Sequence, residues 1–439
     1  MEKLLDLNWP ILLDSGHPTE AGRYDILAAA PAIKLVTRGL ITYISRGDRV
    51  ETANDDPLLL LHRLLGPRGE KSDEFPFFGG ALGYFGYDLG KRYEPINPHA
   101  IADLKLPMVA IGIYDWAIVT DHVAQTTHLV SPLRFSQTTE QLRMVLAKLT
   151  TETSDIIHTA KFHLQSAFQS NFTREEYGQA ITRILQHIHA GDCYQVNLAQ
   201  RFKAPAIGSP WAAYQRLRQA NPGAYSGFMS MPFGSVASCS PECFLHVVDR
   251  QVTTKPIKGT RPRLDDSDAD ALQATALFNS EKDRAENLMI VDLMRNDLGR
   301  SCIPGSIKVD TLFGLEKFKN VHHLVSTISG QLRPKRHVLD LVRDCFPGGS
   351  VIGAPKISAM QLIETLEPHQ RSFYCGSLGF IDYSGDAHLN IAIRSMLFTH
   401  HYVYCYGGGG IVADSDWESE YQETLDKVGG MLAVLEETS

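Results

Sequence analysis

The segment Pro256-Ile257-Lys258-Gly259-Thr260 constrains the local fold more than any other stretch of this 439-residue chain. Pro256 fixes its own φ angle, and Gly259 permits backbone geometry and close approach that a side chain would block. We therefore expect Lys258 to lie on a rigid strand-to-turn connection. If it is also desolvated, a neutral, nucleophilic amine becomes accessible. Taken alone, a Lys-Gly pair is more often part of a solvated turn, since lysine is rarely buried unless it is paired.

The composition is that of a soluble globular protein, with 44% apolar and 21% charged residues. The net charge of −8 argues against a nucleic-acid surface, so an anionic substrate needs a local cluster of cations. Residues 1–6 lack the features of a signal peptide, and no apolar window is long enough to span a bilayer. The seven cysteines are scattered singly, which argues against disulfides, and we interpret Cys239 and Cys243 as buried thiols. We expect a cytoplasmic protein without nucleic-acid or membrane partners.

The chain divides into an N-terminal region, 1–150, and a C-terminal region, 170–439, which we expect to form one compact unit. The N-terminal region is rich in strand formers, and strands are predicted at 36–45 and 109–119. A polar stretch at 131–172, with a helical patch near 142–149, marks the predicted boundary.

Several helices have clear start signals. Thr173 and Glu176 form a capping box, and Gly191 ends that helix. A second helix is predicted to begin at Ser280, with Asp283 as its capping-box partner. It is apolar almost all round near 288–291, which predicts a buried helix. Further elements are predicted as helices at 358–367 and 416–436 and as strands at 194–202, 224–231, 243–248, 377–382, 389–397 and 402–406.

Two of these helices carry pairs of carboxylates. Glu420 and Glu423 lie one turn apart on the last helix, and Asp283 and Glu286 lie one turn apart on the Ser280 helix. Such an oxygen-only set suits Mg²⁺, and no His or Cys cluster indicates zinc. A solvated charged face is the alternative. The run at 407–410 has two interpretations as well, an anion-binding nest of amide groups or a flexible hairpin loop.

Several ordered motifs resemble those of the chorismate-utilising enzymes, a family that includes anthranilate, aminodeoxychorismate, isochorismate and salicylate synthases. They are Ser240-Pro241-Glu242, Pro256-Ile257-Lys258-Gly259-Thr260, the helical run 283–298, Phe346-Pro347-Gly348-Gly349-Ser350, Gly353-Ala354-Pro355-Lys356 and Glu420-Tyr421-Gln422-Glu423. In most of the family the residue before Gly259 is alanine, whereas lysine marks the aminodeoxychorismate synthase branch. The resemblance implies an α+β fold with two large, mostly antiparallel sheets packed as a sandwich and helices outside.

The resemblance also implies an activity, the amination of chorismate at C4 with ammonia to give 4-amino-4-deoxychorismate for the folate and para-aminobenzoate pathway. Anthranilate synthase component I, which releases pyruvate and aromatises the ring, is the nearest alternative, and an isochorismate synthase is a third. Lys258 favours amination because an elimination reaction has no use for an amine there. A catalytically idle subunit that senses tryptophan is a hypothesis from another class.

The resemblance implies roles for individual residues. Lys258 would form a covalent adduct at C2, Glu242 would be the general acid/base, and His323 would orient the ring hydroxyl. The implied substrate-binding residues are Thr260, Ser350, Tyr374, Arg394, Gly409, Gly410 and Lys427. The implied Mg²⁺ ligands are Glu286 and Glu423, with Asp283 and Glu420 beside them. Asp283 stands where many relatives have glutamate, and its shorter side chain makes direct ligation less certain.

Two further ligands are implied. No cysteine has the context of a glutaminase nucleophile, so ammonia would come from a separate glutamine amidotransferase subunit or from free ammonium. The segments around Ser15, Tyr24, Pro222 and Tyr225 resemble those that form a tryptophan pocket in this family. As turn signals, however, these segments need no ligand.

Overall fold

The computed structural model describes residues 1–16, 22–151, 160–318 and 321–437. Within these ranges the chain forms nine α-helices and two twelve-stranded sheets. The helices are α1 Pro57–Leu65, α2 Thr138–Thr150, α3 Arg174–Ala190, α4 Pro210–Ala220, α5 Ser267–Asn279, α6 Glu281–Ser301, α7 Val338–Cys345, α8 Lys356–Leu366 and α9 Trp417–Glu436. No helix in the described ranges is long and apolar enough to cross a membrane.

The strands of the first half of the chain are β1 Ile11–Asp14, β2 Tyr24–Ala28, β3 Ile33–Arg38, β4 Ile41–Arg46, β5 Arg49–Ala53, β6 Gly80–Phe85, β7 Val109–Tyr114, β8 Ala117–Asp121, β9 Thr126–Val130, β10 His163–Leu164, β11 Gln169–Ser170 and β12 Gln195–Ile207. Those of the second half are β13 Tyr225–Met231, β14 Gly234–Ser240, β15 Cys243–Val248, β16 Gln251–Lys255, β17 Ile257–Pro262, β18 Lys308–Lys317, β19 Val321–Gln331, β20 Gly353–Ala354, β21 Ser377–Asp382, β22 Ala387–Asn390, β23 Ser395–Phe398 and β24 Tyr402–Ile411.

Both sheets combine strands from the two ends of the chain. The first has the order β10-β12-β24-β23-β14-β13-β1-β2-β8-β9, with β11 and β20 also on β12. The second has the order β17-β19-β16-β15-β22-β21-β6-β7-β3-β4-β5, with β18 also on β19. N-terminal strands meet C-terminal ones directly, since β1 pairs antiparallel with β13 and β6 with β21. The prediction of an α+β fold with two large antiparallel sheets is confirmed.

The core lies between the two sheets. Ile11 and Val236 of the first sheet belong to the same buried apolar cluster as Leu245 and Leu378 of the second. Helices pack on the other sides, α9 on β24 and α6 on β17 and β19. This burial of one face of each sheet follows from the apolar residues that line the strands.

Several predicted strands are in fact pairs of strands. The stretch 36–45 is the hairpin of β3 and β4. The stretch 109–119 contains β7 of the second sheet and β8 of the first, and 389–397 likewise contains β22 and β23. Strand propensity reports that a residue suits a half-buried surface, and it carries no information on which sheet the residue joins. The chain therefore crosses between sheets at points that the residue pattern does not mark.

The helix predictions hold in most places. The capping box of Thr173 and Glu176 starts α3, and Gly191 ends it in the left-handed conformation. At α6 Ser280 accepts a hydrogen bond from the Asp283 amide, but the Asp283 carboxylate bonds Arg261 instead of completing a capping box. The prediction that α6 is buried all round is wrong. Leu288 is 47% exposed, because an apolar run of four residues spans more than one face of a helix.

Two smaller predictions can be compared with the structure. The helical patch near 142–149 corresponds to α2, and residues 152–159 of the predicted boundary lie outside the described residues. Cys239 and Cys243 are buried thiols, as expected, and the other five cysteines are buried and free as well.

Candidate active site

The candidate site lies where the chain crosses between the sheets. β14 leads directly into β15 through Pro241 and Glu242, and β22 leads into β23 through residues 391–394. The two crossings are bonded to each other. The Ser240 hydroxyl donates to the Ile391 carbonyl at 2.6 Å, and the Ile391 amide donates to the Glu242 carbonyl at 3.0 Å. This pairing fixes the backbone from which the Glu242 side chain extends.

Glu242 is a buried acid, only 3% exposed. Burial raises the pKa of its carboxyl group to about 7, against the opposing hydrogen bonds from Ser350 and from the Ile257 amide and the charge of Lys258. A carboxyl group with this pKa is substantially protonated at neutral pH and can both give and take a proton. Ser350, predicted to contact the substrate, lies beside this acid as its hydrogen-bond partner.

Lys258 lies on β17, next to an irregularity in the pairing of β17 with β19 at Gly259. Gly259 has φ +79°, and a Cβ there would lie 2.8 Å from Leu277 and 3.0 Å from the Asp283 carboxyl group. Glycine is therefore required at this position. Burial lowers the pKa of Lys258, Lys427 lowers it further, and Glu286 and Glu242 oppose the change. A depressed pKa increases the fraction of neutral amine, which is the nucleophilic form.

His323 lies on β19 opposite Thr260. Its Nδ1 is 2.9 Å from the Thr260 hydroxyl, and its ring packs edge-on against Phe318. Burial lowers the pKa of His323 to about 4, and the nearby Arg394 contributes to this. The imidazole is therefore neutral at pH 7 and suited to orienting a hydroxyl group rather than to protonating it.

A second group of side chains lies between β24 and α9 and is basic at one end. The Lys427 ammonium contacts the Glu423 carboxylate at 2.6 Å and donates to the Gly408 carbonyl at 2.9 Å. Arg394 donates to the Lys427 carbonyl. The Tyr374 ring stacks on Tyr406 with centroids 5.0 Å apart. Lys427 and Arg394 thus place two cations side by side in a chain of negative net charge.

The glycine run at 407–410 belongs to β24 and is paired along its length with β12. The run is an extended strand, so its interpretation as a flexible hairpin loop is wrong. Pairing of β24 with β23 stops at Cys405, and binding of an anion by the amide groups of the run stays a prediction. The glycines also allow close approach. A Cβ on Gly409 would lie 3.0 Å from the Glu420 carboxylate, and one on Gly410 would collide with the Gln195 side chain.

Four carboxylates lie near the N-terminal ends of α6 and α9. The Glu286 carboxylate accepts from Gln195 at 3.2 Å, and Glu420 accepts from Ser415 at 2.7 Å. Burial raises the pKa of both, and the nearby Glu423 contributes to each shift. Asp283 pairs with Arg261 at 3.0 Å, in keeping with its less certain role as a ligand.

Among the described residues, no three acidic, His or Cys side chains converge closely enough to be a complete metal-ligand set. The donor chemistry nevertheless suits a hard divalent cation, because Glu286, Glu420 and Glu423 offer only oxygen and Glu423 repels each of the other two. These three carboxylates are the residues that fit Mg²⁺. Asp283 is already neutralised by Arg261.

Gln195 is the residue that the sequence analysis missed. It is 1% exposed, donates to Glu286 and lies against Gly410, so it connects the metal-side carboxylates to the glycine run. The glycine run indicates close approach, but it does not identify the side chain that comes near.

A separate cavity of about 460 Å³ lies between the two sheets. Ser15, Tyr24 and Tyr225 line it, as predicted for the tryptophan segments, but Pro222 is not part of the lining. Pro222 lies in the turn before β13, and the cavity wall begins two residues later at Ala224. Neither Lys258 nor Glu242 borders this cavity.

Comparisons with known proteins place this site in a family of enzymes. Residues 23–433 match the family model of chorismate binding enzymes. The chain is 47% identical to aminodeoxychorismate synthase component 1 of Klebsiella aerogenes over 98% of this chain and 94% of the relative. It is 37% identical to anthranilate synthase component 1 of Thermus thermophilus over 89% of this chain and 84% of the relative.

Among solved structures, anthranilate synthase component I of Streptococcus pneumoniae superposes with a TM-score of 0.85 and 31% identity, covering 95% of this chain and 93% of that one. The family match spans nearly the whole chain, and it includes the elements that carry Glu242, Lys258, Glu286 and Glu423. The chain belongs to the chorismate-binding enzymes.

Proposed function

We propose that this chain aminates chorismate at C4 with ammonia and yields 4-amino-4-deoxychorismate, a precursor of para-aminobenzoate and folate. One observation carries the proposal. Lys258, whose pKa is lowered by burial, shares a site with Glu242, a buried acid whose pKa is raised to about 7. A nucleophile and a proton donor are what a two-step substitution of a hydroxyl group requires. The similarity to aminodeoxychorismate synthase component 1 of Klebsiella aerogenes supports the same reaction.

In the first step neutral Lys258 forms a bond from Nζ to ring C2. The two ring double bonds each shift by one position, the C4–O bond breaks, and Glu242 gives its proton to the hydroxyl group, which leaves as water. The Glu242 carboxylate then removes the extra proton from the lysine nitrogen. This divides one difficult displacement into two easier ones.

In the second step ammonia adds at C4, and the double bonds return to their first positions as the C2–N bond breaks. Glu242 returns its proton to the departing Lys258 nitrogen and recovers one from the ammonium group formed at C4, so the protonated acid and the neutral amine are both restored. The sum is chorismate plus ammonia giving 4-amino-4-deoxychorismate plus water, with the enolpyruvyl group retained.

The basic end of the site would bind the dianionic substrate. Arg394 and Lys427 would pair with its carboxylates, and His323 would orient the C4 hydroxyl. When bound at Glu286, Glu420 and Glu423, Mg²⁺ would supply a Lewis acid that draws electron density toward the C1 carboxylate. Lys427 holds Glu423 at 2.6 Å, so the lysine is near both the metal side and the substrate side of the site.

We further propose that the ammonia comes from a separate glutamine amidotransferase subunit. Glutamine hydrolysis by a cysteine enzyme needs an accessible thiolate, and all seven cysteines of this chain are buried. Burial also raises the pKa of Cys239 and of Cys243, each to about 12, so neither thiol is reactive.

Anthranilate formation is the second candidate function, because the Thermus thermophilus relative is an anthranilate synthase component 1. That reaction eliminates pyruvate and leaves no role for a lysine nucleophile, so Lys258 favours amination.

The test is to incubate the chain with chorismate, Mg²⁺ and ammonium and to identify the product by mass spectrometry. We expect an aminated product that retains its enolpyruvyl group. Lys258→Ala should abolish it, whereas Lys255→Ala should not, because Lys255 lies on β16 with Glu316 as its ion-pair partner at 3.6 Å. Anthranilate and pyruvate as products would contradict the proposal, and full activity of Lys258→Ala would contradict the covalent route.

We also propose that the cavity of about 460 Å³ binds tryptophan. Its lining offers aromatic and polar groups together, including Tyr24, Tyr225, His388 and Asn390. Tyr225 packs edge-on against His388 with ring centroids 5.2 Å apart, which gives an aromatic wall for an indole ring.

A further inference from the structure

A second, smaller cavity lies away from the candidate active site. It has a volume of about 160 Å³ and forms where the end of α1, the turn between β15 and β16 and the start of α7 meet. Its charged lining consists of Arg68, Arg250, Arg336 and Asp382, and His62, His337 and Tyr383 are its other titratable residues. None of the residues assigned to chorismate or Mg²⁺ lines it, and it shares only Val247 and Asp382 with the cavity of about 460 Å³. We refer to it as the basic pocket.

The basic pocket concentrates positive charge in a protein whose net charge is −8. Three guanidinium groups line it against one carboxylate. Burial lowers the pKa of Arg250, and the charge of Arg68 lowers it further, so these two cations repel each other. In the described part of the chain Arg68 has no hydrogen bond or ion pair, while Arg336 has only a distant carboxylate, Asp340 at 3.8 Å. A bound anion would offset this repulsion.

Backbone contacts hold Arg250 in place. Its Nη2 donates to the carbonyls of Leu332 at 3.2 Å and of Arg336 at 3.3 Å. Arg250 follows Asp249 in a tight turn, and both have positive φ angles. The guanidinium is thus positioned by the fold rather than by an acidic partner, and it has further N–H groups with which to bind a ligand.

Two stacked imidazoles add further hydrogen-bonding groups. The His62 and His337 rings are 4.1 Å apart and nearly parallel, at 16°. His337 accepts the Leu339 amide at Nδ1 over 3.2 Å, so in its neutral form the proton is on Nε2, which can donate.

The one carboxylate of the pocket is hydrogen-bonded through its Oδ1 atom. Asp382 accepts from the Ser384 hydroxyl at 2.7 Å and from the Asp386 amide at 2.9 Å. Burial raises its pKa to about 6, so Asp382 is ionised at pH 7.5. Among the described residues it forms no ion pair with Arg68, Arg250 or Arg336, whose guanidinium groups are left to bind another anion.

We propose that the basic pocket binds a phosphate group, either as free phosphate or as the phosphoryl group of a small metabolite. Guanidinium forks match the oxygens of a tetrahedral phosphate in pairs, and the small volume favours a compact anion over an extended one. This site is independent of the proposed amination, because it shares no residue with the candidate active site.

The experiment is isothermal titration of the full chain with inorganic phosphate, at constant ionic strength and pH 7.5. We expect saturable binding at one site. Arg68→Ala should weaken it by about tenfold, the effect of losing one charge-assisted hydrogen bond. Arg68 makes no contact that the fold needs, so this variant should fold normally. Arg63→Ala is the matched control, because Arg63 is exposed, pairs with Asp55 and does not line the pocket.

Titrations with other anions distinguish free phosphate from a phosphorylated metabolite. Glycerol 3-phosphate that binds more tightly than phosphate would support a phosphorylated metabolite, and the reverse order would support free phosphate. Saturable binding of succinate but not of phosphate would overturn the phosphate assignment. Absence of saturable phosphate binding, or equal losses in Arg68→Ala and Arg63→Ala, would overturn the site itself. Amination of chorismate by Arg68→Ala should be unchanged, so the two proposals can fail separately.

Discussion

At the scale of single residues, the proposed chemistry depends on two groups whose pKa values are moved toward neutrality. Burial acts on Glu242 and Lys258 in opposite directions, raising the pKa of the acid to about 7 and lowering that of the amine. Each charge still partly stabilises the other, so the two titrate as a pair. Burial of this kind has a cost to stability wherever the buried acid must be ionised.

The first prediction concerns that cost. The pKa of Glu242 rises from 4.5 to about 7 on folding, so between these pH values the folded state binds more protons than the unfolded state. Stability is therefore lost as the pH rises through this window. Glu242→Gln removes the titration. Its unfolding free energy relative to the parent should increase by about 2 to 3 kcal/mol between pH 5 and pH 8.

Urea unfolding of both proteins at the two pH values measures this difference. The matched control is Glu418→Gln, which changes an exposed glutamate that pairs with Arg174 at 3.2 Å and should leave the difference near zero. A Glu242→Gln curve that runs parallel to the parent curve across this range would mean that Glu242 is ionised in the folded protein. The same variant should lose amination by about 10²- to 10⁴-fold, as expected for a general acid.

At the scale of elements, much of the architecture can be predicted from local signals. The starts of α3 and α9 were predictable because an N-cap residue is a local feature, Thr173 in one case and Asp416 in the other. The carboxylates of α6 and α9 could be grouped from their helical spacing and the family resemblance. Their meeting at the glycine run of β24 depends on pairing between distant strands, which helical periodicity does not reveal.

Three features of the structure could not be predicted from the sequence. The crossings at Glu242 and at 391–394 look like ordinary strand ends, because alternation does not identify the sheet. The extended form of 407–410 was missed because glycine suits loops and close-packed strands alike. Gln195 was missed because a buried amide in a strand has no sequence signature of its role.

The glycine run leads to the second prediction. Gly410→Ala should push Gln195 away from Glu286, because the new Cβ would occupy the space of that amide. We expect a large loss of amination with a modest loss of stability. Gly429→Ala is the control, since a Cβ there has nothing within 4 Å and lies inside α9. It should keep full activity and gain up to about 1 kcal/mol of stability from helix propensity.

Steady-state kinetics and thermal unfolding of the two variants test this prediction. Equal activity of Gly410→Ala and the parent would show that the contact between Gln195 and Glu286 is dispensable.

The third prediction concerns the metal. Glu423→Gln removes one of the three carboxylates that fit Mg²⁺ and also frees Lys427 from its contact at 2.6 Å. We expect the Mg²⁺ concentration needed for half-maximal amination to rise at least about tenfold, in line with loss of a charged ligand. Glu418→Gln, on the solvent side of the same helix, should leave it unchanged. Isothermal titration with Mg²⁺ in the presence of chorismate gives the affinity directly. Equal affinities for the two variants would show that Glu423 is not a metal ligand.

At the scale of the whole molecule, the two ends of the chain are interlaced. Strands from residues 11–28 form part of the first sheet beside β13, and β6 and β7 lie beside β21 in the second. The cavity of about 460 Å³ is enclosed by both sheets, with β1, β2 and β13 on one side and β15, β21 and β22 on the other. A ligand in this cavity would contact both sheets at once, so its binding should stabilise the molecule as a unit.

That reasoning gives the fourth prediction. Because tryptophan in this cavity would bind only the folded state, saturation should raise the unfolding free energy by about 2.7 kcal/mol when the ligand is at about 100 times its Kd. Thermal unfolding with increasing L-tryptophan measures the shift in Tm. Tyr24→Ala should reduce the shift because Tyr24 lines the cavity, whereas Tyr43→Ala, an exposed tyrosine on β4, should retain it. A Tm that does not change with tryptophan would show that the cavity does not bind this ligand. A shift in Tm that is retained in Tyr24→Ala but lost in Tyr43→Ala would place the binding site elsewhere.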